Sequence, residues 1–229
     1  MIAVPIAAKN MQQALVLIDE ANKDADVIEL RLDYFSALSE ADLKRLLGAC
    51  KRPVICTCRR KEEGGLFNDS ENKRISVLKR AMKLGCDYVD VEFETKKELR
   101  DEILLHKKLY PAKIILSKHY FGITPEYAEL EKVFKKMSKQ KHDILKIVTK
   151  ANSNDDNKII FSLLKHAKGK GERLISFCMG NIGRDSRILC LPLGSYLTFA
   201  SLSAGKESAE GQIPIAEMKK IYSGLRVMF

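Results

Sequence analysis

Residues 26–59 read DVIELRLDYFSALSEADLKRLLGACKRPVICTCR, and their pattern decides the fold. Two apolar, β-branched runs, Asp26–Asp33 and Pro53–Arg59, flank a stretch of helical character. Ser39, followed by Asp42 and Leu43, marks a helix start: a capping hydroxyl ahead of an acidic first turn. Neither apolar run alternates strictly. Strands that are apolar on both faces belong to a parallel sheet covered by helices. The stretch therefore reads as strand, crossover helix, strand.

The same unit recurs along the chain. Apolar runs occupy Ile2–Ala7, Asp26–Asp33, Pro53–Arg59, Tyr88–Phe93, Lys113–His119, Ile144–Thr149, Arg173–Met179 and Tyr196–Leu202. Their starts lie 23 to 35 residues apart, room for a strand, a helix and two loops. Between them, Ala14, Leu15, Ile18 and Ala21 recur at helical spacing, as do Ile75, Leu78, Met82 and Leu84. Thr124-Pro125-Glu126 reads as a further helix start, and Gly85 and Gly169 as helix stops. Eight units without a break in composition predict an α/β protein, a single (β/α)8 TIM barrel forming one domain over residues 1–229. The structural rival is an open, doubly wound sheet. It favours a glycine-rich turn after the first strand, where this chain has Ala7-Ala8-Lys9-Asn10.

Composition narrows the function classes. The 229 residues are 45% hydrophobic and 31% charged, enough apolar mass for a large core and too much for a disordered chain. No apolar run approaches the roughly 18 residues of a membrane span, and no secretory leader is expected. Of six cysteines, Cys56 and Cys58 stand one residue apart with no second pair at zinc-finger spacing. They read as small buried thiols in a reducing cytoplasm. The net charge of +10 raises the question of a nucleic-acid partner. That function needs a basic stripe interleaved with aromatics. Phe134 within Lys132–Lys141 fits an amphipathic helix with a solvated lysine face better, so no nucleic acid is expected.

In a barrel, chemistry collects at the C-terminal ends of the strands. Those ends carry Glu29 and Arg31, Arg59, Asp90 and Glu92, Ser117-Lys118-His119, and Lys146. The loops after the seventh and eighth strands add Ser186, Arg187, Ser208, Gly211 and Gln212. The i, i+2 spacing of Glu29 and Arg31, and of Asp90 and Glu92, puts each pair on one face. Each group also has a structural reading. Glu29 with Arg31 makes a buried ion pair, Asp90 and Glu92 hold loop amides or arginines, and a lone histidine satisfies a strand end. Lys146 is harder to place as structure, because Leu145, Ile147 and Val148 surround it. It faces either the helix layer or the barrel interior, where its ammonium loses hydration. A neutral amine is the nucleophile that forms a Schiff base with a ketone. The arginines imply an anionic substrate, a carboxylate or a phosphate. Gly180-Asn181-Ile182-Gly183 is a weak candidate phosphate cradle. Nothing in the pattern requires a metal or a cofactor.

These residues carry a resemblance that spans nearly the whole chain. Its anchors are Glu29-Leu-Arg31-Leu-Asp33, Thr57-Cys-Arg59 with Glu63-Gly64-Gly65, Ser117-Lys-His119, Lys146-Ile147, Met179-Gly180 through Gly183 to Ser186-Arg187, and Ser208-Ala-Glu-Gly211-Gln212. In order and placement they resemble the type I 3-dehydroquinate dehydratases. The resemblance implies that Lys146 is the Schiff-base lysine, His119 the general acid/base and Glu63 the carboxylate that orients it. It implies that Glu29, Arg31 and Arg59 line the substrate pocket, that Arg187 grips the substrate carboxylate, and that Ser208 and Gln212 belong to a closing loop. It further implies 3-dehydroquinate as substrate, no cofactor, no metal, a cytoplasmic location and a homodimer. The chain departs from the family's habit at Tyr120, where an acidic residue or Asn is usual, and at Glu210, where Pro is usual. The tail Arg226–Phe229 carries no part of the resemblance, and no fused shikimate dehydrogenase domain is expected in so short a chain. A class I aldolase acting on a sugar phosphate stays open beside it, because that chemistry uses the same lysine.

Overall fold

A computed structural model describes residues 1–226; the tail set aside above, Arg226–Phe229, lies outside them except for Arg226. The strands are β1 (Ile2–Ile6), β2 (Val27–Arg31), β3 (Val54–Thr57), β4 (Tyr88–Glu92), β5 (Lys113–His119), β6 (Ile144–Lys150), β7 (Leu174–Met179) and β8 (Thr198–Phe199). The helices are α1 (Met11–Asp24), α2 (Glu40–Ala49), α3 (Glu71–Lys83), α4 (Lys97–Lys107), α5 (Tyr127–Ser138), α6 (Asn154–Gly169), α7 (Arg184–Leu189) and α8 (Ile215–Arg226). All strand pairs are parallel, in the order β7-β6-β5-β4-β3-β2-β1-β8. The remaining seam, between β7 and β8, is crossed by the Tyr196 N–H donating to the Leu174 carbonyl at 2.8 Å. The sheet is thus a nearly closed TIM barrel, as the eightfold alternation predicts.

Register and alternation sort the side chains into layers. Toward the bottom of the interior stand Ala3, Val27, Ile55, Ile115, Ile144 and Ile175, all buried. One step up the same faces come Glu29, Thr57, Asp90, Ser117, Lys146, Phe177 and Phe199. Above them lie Arg31, Arg59, Glu92, His119, Val148 and Met179. The opposite faces are apolar. Ile2, Val4, Ile6, Ile28, Leu30, Val54, Cys56 and Val89 pack against Ala14, Ile18, Leu43, Leu46, Ile75, Leu78 and Met82 of the helices. The interior is therefore apolar at its base and polar at its mouth, which fixes where chemistry can occur.

Local signals hold in part. Ser39 caps α2 in a reciprocal box with Asp42, and Gly85 takes a left-handed φ of 90° after α3. Three boundaries differ from the sequence reading. Gly169 is the last residue of α6, and the left-handed stop is Gly171 at φ 71°. Thr124 does not cap α5, because its hydroxyl is taken up by the Lys150 carbonyl at 2.9 Å. Strand β8 shrinks to two residues, since Ser201 leaves the barrel wall to bridge Pro214. Phe134 is buried beneath α5 with Leu130 and Met137, out of reach of a stacked base. All six cysteines are free, five of them buried.

One buried cation ties the helix layer to the barrel mouth. Arg74 of α3 is fully buried. It reaches Glu92 of β4, donates to the Cys58 carbonyl at 3.1 Å and to Thr95 Oγ1 at 2.7 Å, and meets Glu71 at 2.9 Å. Removing one partner of a buried ion pair leaves the other uncompensated. Arg74→Ala is therefore expected to lower stability by about 3–5 kcal/mol, read from the urea midpoint. Lys73→Ala, which deletes an exposed pair between α3 and Asp69 just ahead of it, is expected to leave that midpoint nearly unchanged.

Candidate active site

All nine residues singled out in the sequence converge on one cavity at the C-terminal mouth of the barrel. Glu29, Arg31, Arg59, Glu63, His119, Lys146, Arg187, Ser208 and Gln212 line it, together with Gly64, Phe121, Val148, Phe177, Met179, Phe199 and Ala209. The enclosed space is about 80 Å3. A larger cleft of about 940 Å3 lies outside the barrel beside α4, rimmed by Lys97, Arg100, Lys107, Lys108, Lys139 and Lys141. It contains none of the strand-end groups.

The floor of the inner cavity is an ion network centred on Asp90, which is wholly buried. Its Oδ2 accepts from Lys146 Nζ at 2.9 Å and lies 2.7 Å from Arg59 Nη2, while its Oδ1 accepts from Ser117 Oγ at 2.6 Å. Burial alone would raise the Asp90 carboxyl, but the charges of Arg59 and Lys146 together outweigh it and hold the group well below the usual range. Arg59 also donates to Glu92 Oε1 at 2.9 Å. Both of its terminal nitrogens are engaged in this network, Nη1 by Glu92 and Ser117 and Nη2 by Asp90. Lys146 is 4% exposed, with its Nζ 4.5 Å from the centre of the Phe199 ring and 3.9 Å from Glu29 Oε1.

Glu29 and Arg31 do not pair with each other. Glu29 accepts from Thr57 Oγ1 at 2.8 Å. Arg31 turns to Asp33 with two hydrogen bonds of 2.9 and 2.7 Å, and Asp33 also holds the Leu66 amide at 3.0 Å. The sequence anchor Glu-Leu-Arg-Leu-Asp thus works as Arg31 with Asp33, leaving Glu29 toward Lys146.

His119 and Glu63 form a dyad. Glu63 Oε2 lies 2.9 Å from His119 Nδ1 and accepts the His119 backbone N–H at 3.1 Å. Burial, followed by the charges of Arg59 and Lys146, holds the His119 imidazole well below its ordinary value. Burial also pushes the Glu63 carboxyl up to about 7, although Arg59 opposes the shift. A neutral ring donating from Nδ1 to Glu63 presents the lone pair of Nε2 to the cavity. Phe121 stacks on the ring at 6.1 Å between centres and closes over Gly64, whose φ is 75°.

Arg187 is the exception to charge pairing. The buried cations among the described residues are Arg31, Arg59, Arg74, Lys146 and Arg187. Each of the first four meets a carboxylate, and Arg187 meets none. Its Nη2 donates to the Glu210 carbonyl at 3.1 Å, its guanidinium carbon lies 4.5 Å over the Phe177 ring, and its Nε is buried without a partner. Burial pulls its pKa down to about 10. Ser208 and Gln212 hold each other across the loop after β8: Gln212 Oε1 accepts the Ser208 amide at 2.8 Å. Gly211 lets that loop lie against Gly180, since a Cβ there would stand 2.1 Å from the Gly180 carbonyl oxygen.

The sequence places Asp90 and Glu92 on one strand face and offers arginines as their partners, which Arg59 and Arg74 are, but gives neither a part in the chemistry. Sequence reasoning missed Thr57 and Ser117 as members of the network and Phe177 and Phe199 as its walls. For Thr57, Ser117 and Phe177 the signal is the shared i, i+2 face with Arg59, His119 and Met179; Phe199 has no such neighbour. Arg74 carries a different signal: it stands four residues before Leu78 and eight before Met82, on the buried face of α3.

Two measurements check this geometry. Imidazole 15N spectra, assigned against a His119→Asn variant, are expected to show His119 neutral and protonated on Nδ1 at about pH 6, just below the ordinary imidazole value; an imidazolium there contradicts the dyad as drawn. Gly211→Ala should loosen the loop over Arg187, read as faster amide exchange between residues 203 and 212 with the barrel strands unchanged.

The chain was then compared with known proteins. A family model described as "Type I 3-dehydroquinase" matches residues 2–228, so the match runs into the tail Arg226–Phe229 that the sequence reading left out of the resemblance. A 3-dehydroquinate dehydratase of Methanococcus vannielii is 39% identical over 221 residues, covering 96% of this chain and 98% of its own. A chloroplastic bifunctional 3-dehydroquinate dehydratase/shikimate dehydrogenase of Arabidopsis thaliana is 34% identical, covering 99% of this chain and 37% of its own. Among solved structures, the type I 3-dehydroquinate dehydratase of Clostridium difficile with covalently modified comenic acid superposes with a TM-score of 0.91 at 26% identity, over 100% of this chain and 92% of that one.

Proposed function

The chain belongs to the type I 3-dehydroquinase family of hydro-lyases, and from that premise we propose that it dehydrates 3-dehydroquinate to 3-dehydroshikimate through a Schiff base on Lys146, as a step of the shikimate pathway. The observation that carries this reading is a buried lysine on the floor of a cavity that also holds a neutral histidine base and an uncompensated arginine. The Lys146 amine adds to the C3 ketone, and the carbinolamine loses water to give an iminium. The iminium is an electron sink, so it acidifies the C2 proton. His119, held neutral and oriented by Glu63, removes that proton and delivers one to the departing C1 hydroxyl. Water then hydrolyses the conjugated iminium, releasing the product and returning the Lys146 side chain to its starting state.

Charge accounting supports the choice of substrate. Among the described residues Arg187 alone of the buried cations meets no carboxylate, so this corner of the cavity lacks a negative partner. A carboxylate completes it, and the planar fork of an arginine suits one bidentately. Glu29 and Arg31 are placed to hold ring hydroxyls. Ser208 and Gln212 close over the ring from the loop after β8. The Clostridium difficile relative, with its covalently modified ligand, supports covalent chemistry in this family. Free thiols at all six cysteines suit a reducing cytoplasm. The family resemblance carries a homodimer.

Reduction with sodium borohydride in the presence of 3-dehydroquinate is expected to add one ligand mass to a peptide containing Lys146. Lys146→Ala should lose the adduct and nearly all activity; dehydration at the native rate by that variant sinks the proposal. Arg187→Met deletes a hydrogen-bonded charge of roughly 1.5–3 kcal/mol. It should lower kcat/KM roughly 10- to 150-fold for 3-dehydroquinate while leaving borohydride trapping at high ligand intact.

A further inference from the structure

Asp90 touches the reacting nitrogen more closely than any other carboxylate, and neither the sequence anchors nor the reading above gives it a task. We propose that Asp90 is the fixed counter-ion of the protonated imine on Lys146, keeping that nitrogen cationic from the resting ammonium through the iminium intermediates. The inference rests on the Schiff-base reading of Lys146 and adds a catalytic residue to it.

The geometry favours Asp90 over its neighbours. Lys146 Nζ lies 2.9 Å from Asp90 Oδ2 and 3.9 Å from Glu29 Oε1. Glu29 is engaged by Thr57 and sits two strands further round the barrel, on β2. Asp90 cannot swing away, because Arg59 from β3 and Ser117 from β5 fix its two oxygens. The other charged or titratable groups around the pair are occupied. Arg31 is matched by Asp33, Glu92 by Arg59 and Arg74, and Glu63 by His119. Arg187 stands across the cavity against Phe177. The Phe199 ring offers Nζ its face, which attracts a cation at this nitrogen and does nothing for a neutral one.

The atom balance makes the role necessary. An ammonium and a ketone give an iminium and water with no net change in charge. The proton shed by the ammonium goes to His119 and leaves with the carbinolamine hydroxyl as water. The iminium keeps one N–H, which occupies the place of the ammonium N–H that Asp90 now accepts. A neutral imine would instead expel a proton from a buried site and strand a buried carboxylate short of one cation, which costs several kcal/mol per ion. The network is built so that the pocket keeps one charge state while carbon chemistry proceeds above it.

The test reads the protonation of the imine itself. Sodium cyanoborohydride reduces protonated imines and spares neutral ones. With 3-dehydroshikimate as the trapped ketone, native enzyme should gain the adduct mass at a rate that varies little from about pH 6 to about pH 9, whereas Asp90→Asn should slow by roughly tenfold per pH unit over the upper part of that range. Trapping by Asp90→Asn that matches native across the range overturns the proposal. Because that variant disturbs a buried network, native enzyme carrying 15N-lysine is measured as well. Its imine nitrogen bound to 3-dehydroshikimate should show the shift and bonded proton of an iminium at about pH 9; the shift of a neutral imine overturns the proposal without any variant. If native enzyme forms no adduct with either hydride, the Schiff-base reading has failed instead.

Discussion

A single carboxylate, that of Asp90, sits where dry protein and chemistry meet. Burying an ion costs several kcal/mol unless its partners are arranged in advance. Here the partners come from three other strands or strand ends: Arg59 after β3, Ser117 of β5 and Lys146 of β6. Such a cluster exists only if the strands hold their register, because a slip of one residue would turn each charge into the helix layer. The layered interior follows from this demand. Apolar residues fill the base, where no partner could be supplied, and charged ones begin where each finds an opposite. Arg74 extends the same logic outward, carrying the network through Glu92 to α3.

What the sequence discloses and what it hides can be traced to the range of the signal. Strand–helix alternation is a local pattern repeated eight times, so the barrel and the chain ends of its strands are legible without coordinates. Residues such as Glu29, Asp90 and Lys146 stand out because a charge inside an apolar run has few explanations. Pairing is another matter. Arg31 chooses Asp33 over Glu29, and Arg59 spends its guanidinium on Asp90 and Glu92, because barrel closure sets distances that no spacing encodes. Arg74 shares the buried face of α3 with Ile75, Leu78 and Met82, but its pairing with Glu92 of β4 is set by the same closure. The helix ends show the local limit, since Gly169 and Thr124 have the right residue type but the neighbouring Gly171 and the Lys150 carbonyl take the roles or the partners.

The +10 charge divides along the same lines. Many of its lysines stand on outer helices in exposed pairs such as Lys97 with Asp101 and Lys158 with Asp155, which are worth little and serve solubility. The excess that matters is one buried guanidinium. Arg187 is kept dry by Phe177 and by the loop after β8, its pKa lowered by that burial to about 10, and its Nε unsatisfied. A site that leaves one cation uncompensated binds an anion by making the free state worse, and it does so without adding any charge at the reacting carbon.

Loop and floor therefore act on different parts of one ligand. The loop meets Arg187 through the Glu210 carbonyl, and the same residue's side chain reaches Lys150 at the end of β6, 3.1 Å away. Proline, the family's habit at this position, could make the first contact but not the second. The exchange to Glu210 ties the closing loop to the strand that carries Lys146, four residues from the nucleophile. The loop after β8 thus meets both the Arg187 guanidinium and the end of β6, the strand that carries Lys146, while Asp90 pairs with that lysine beneath them.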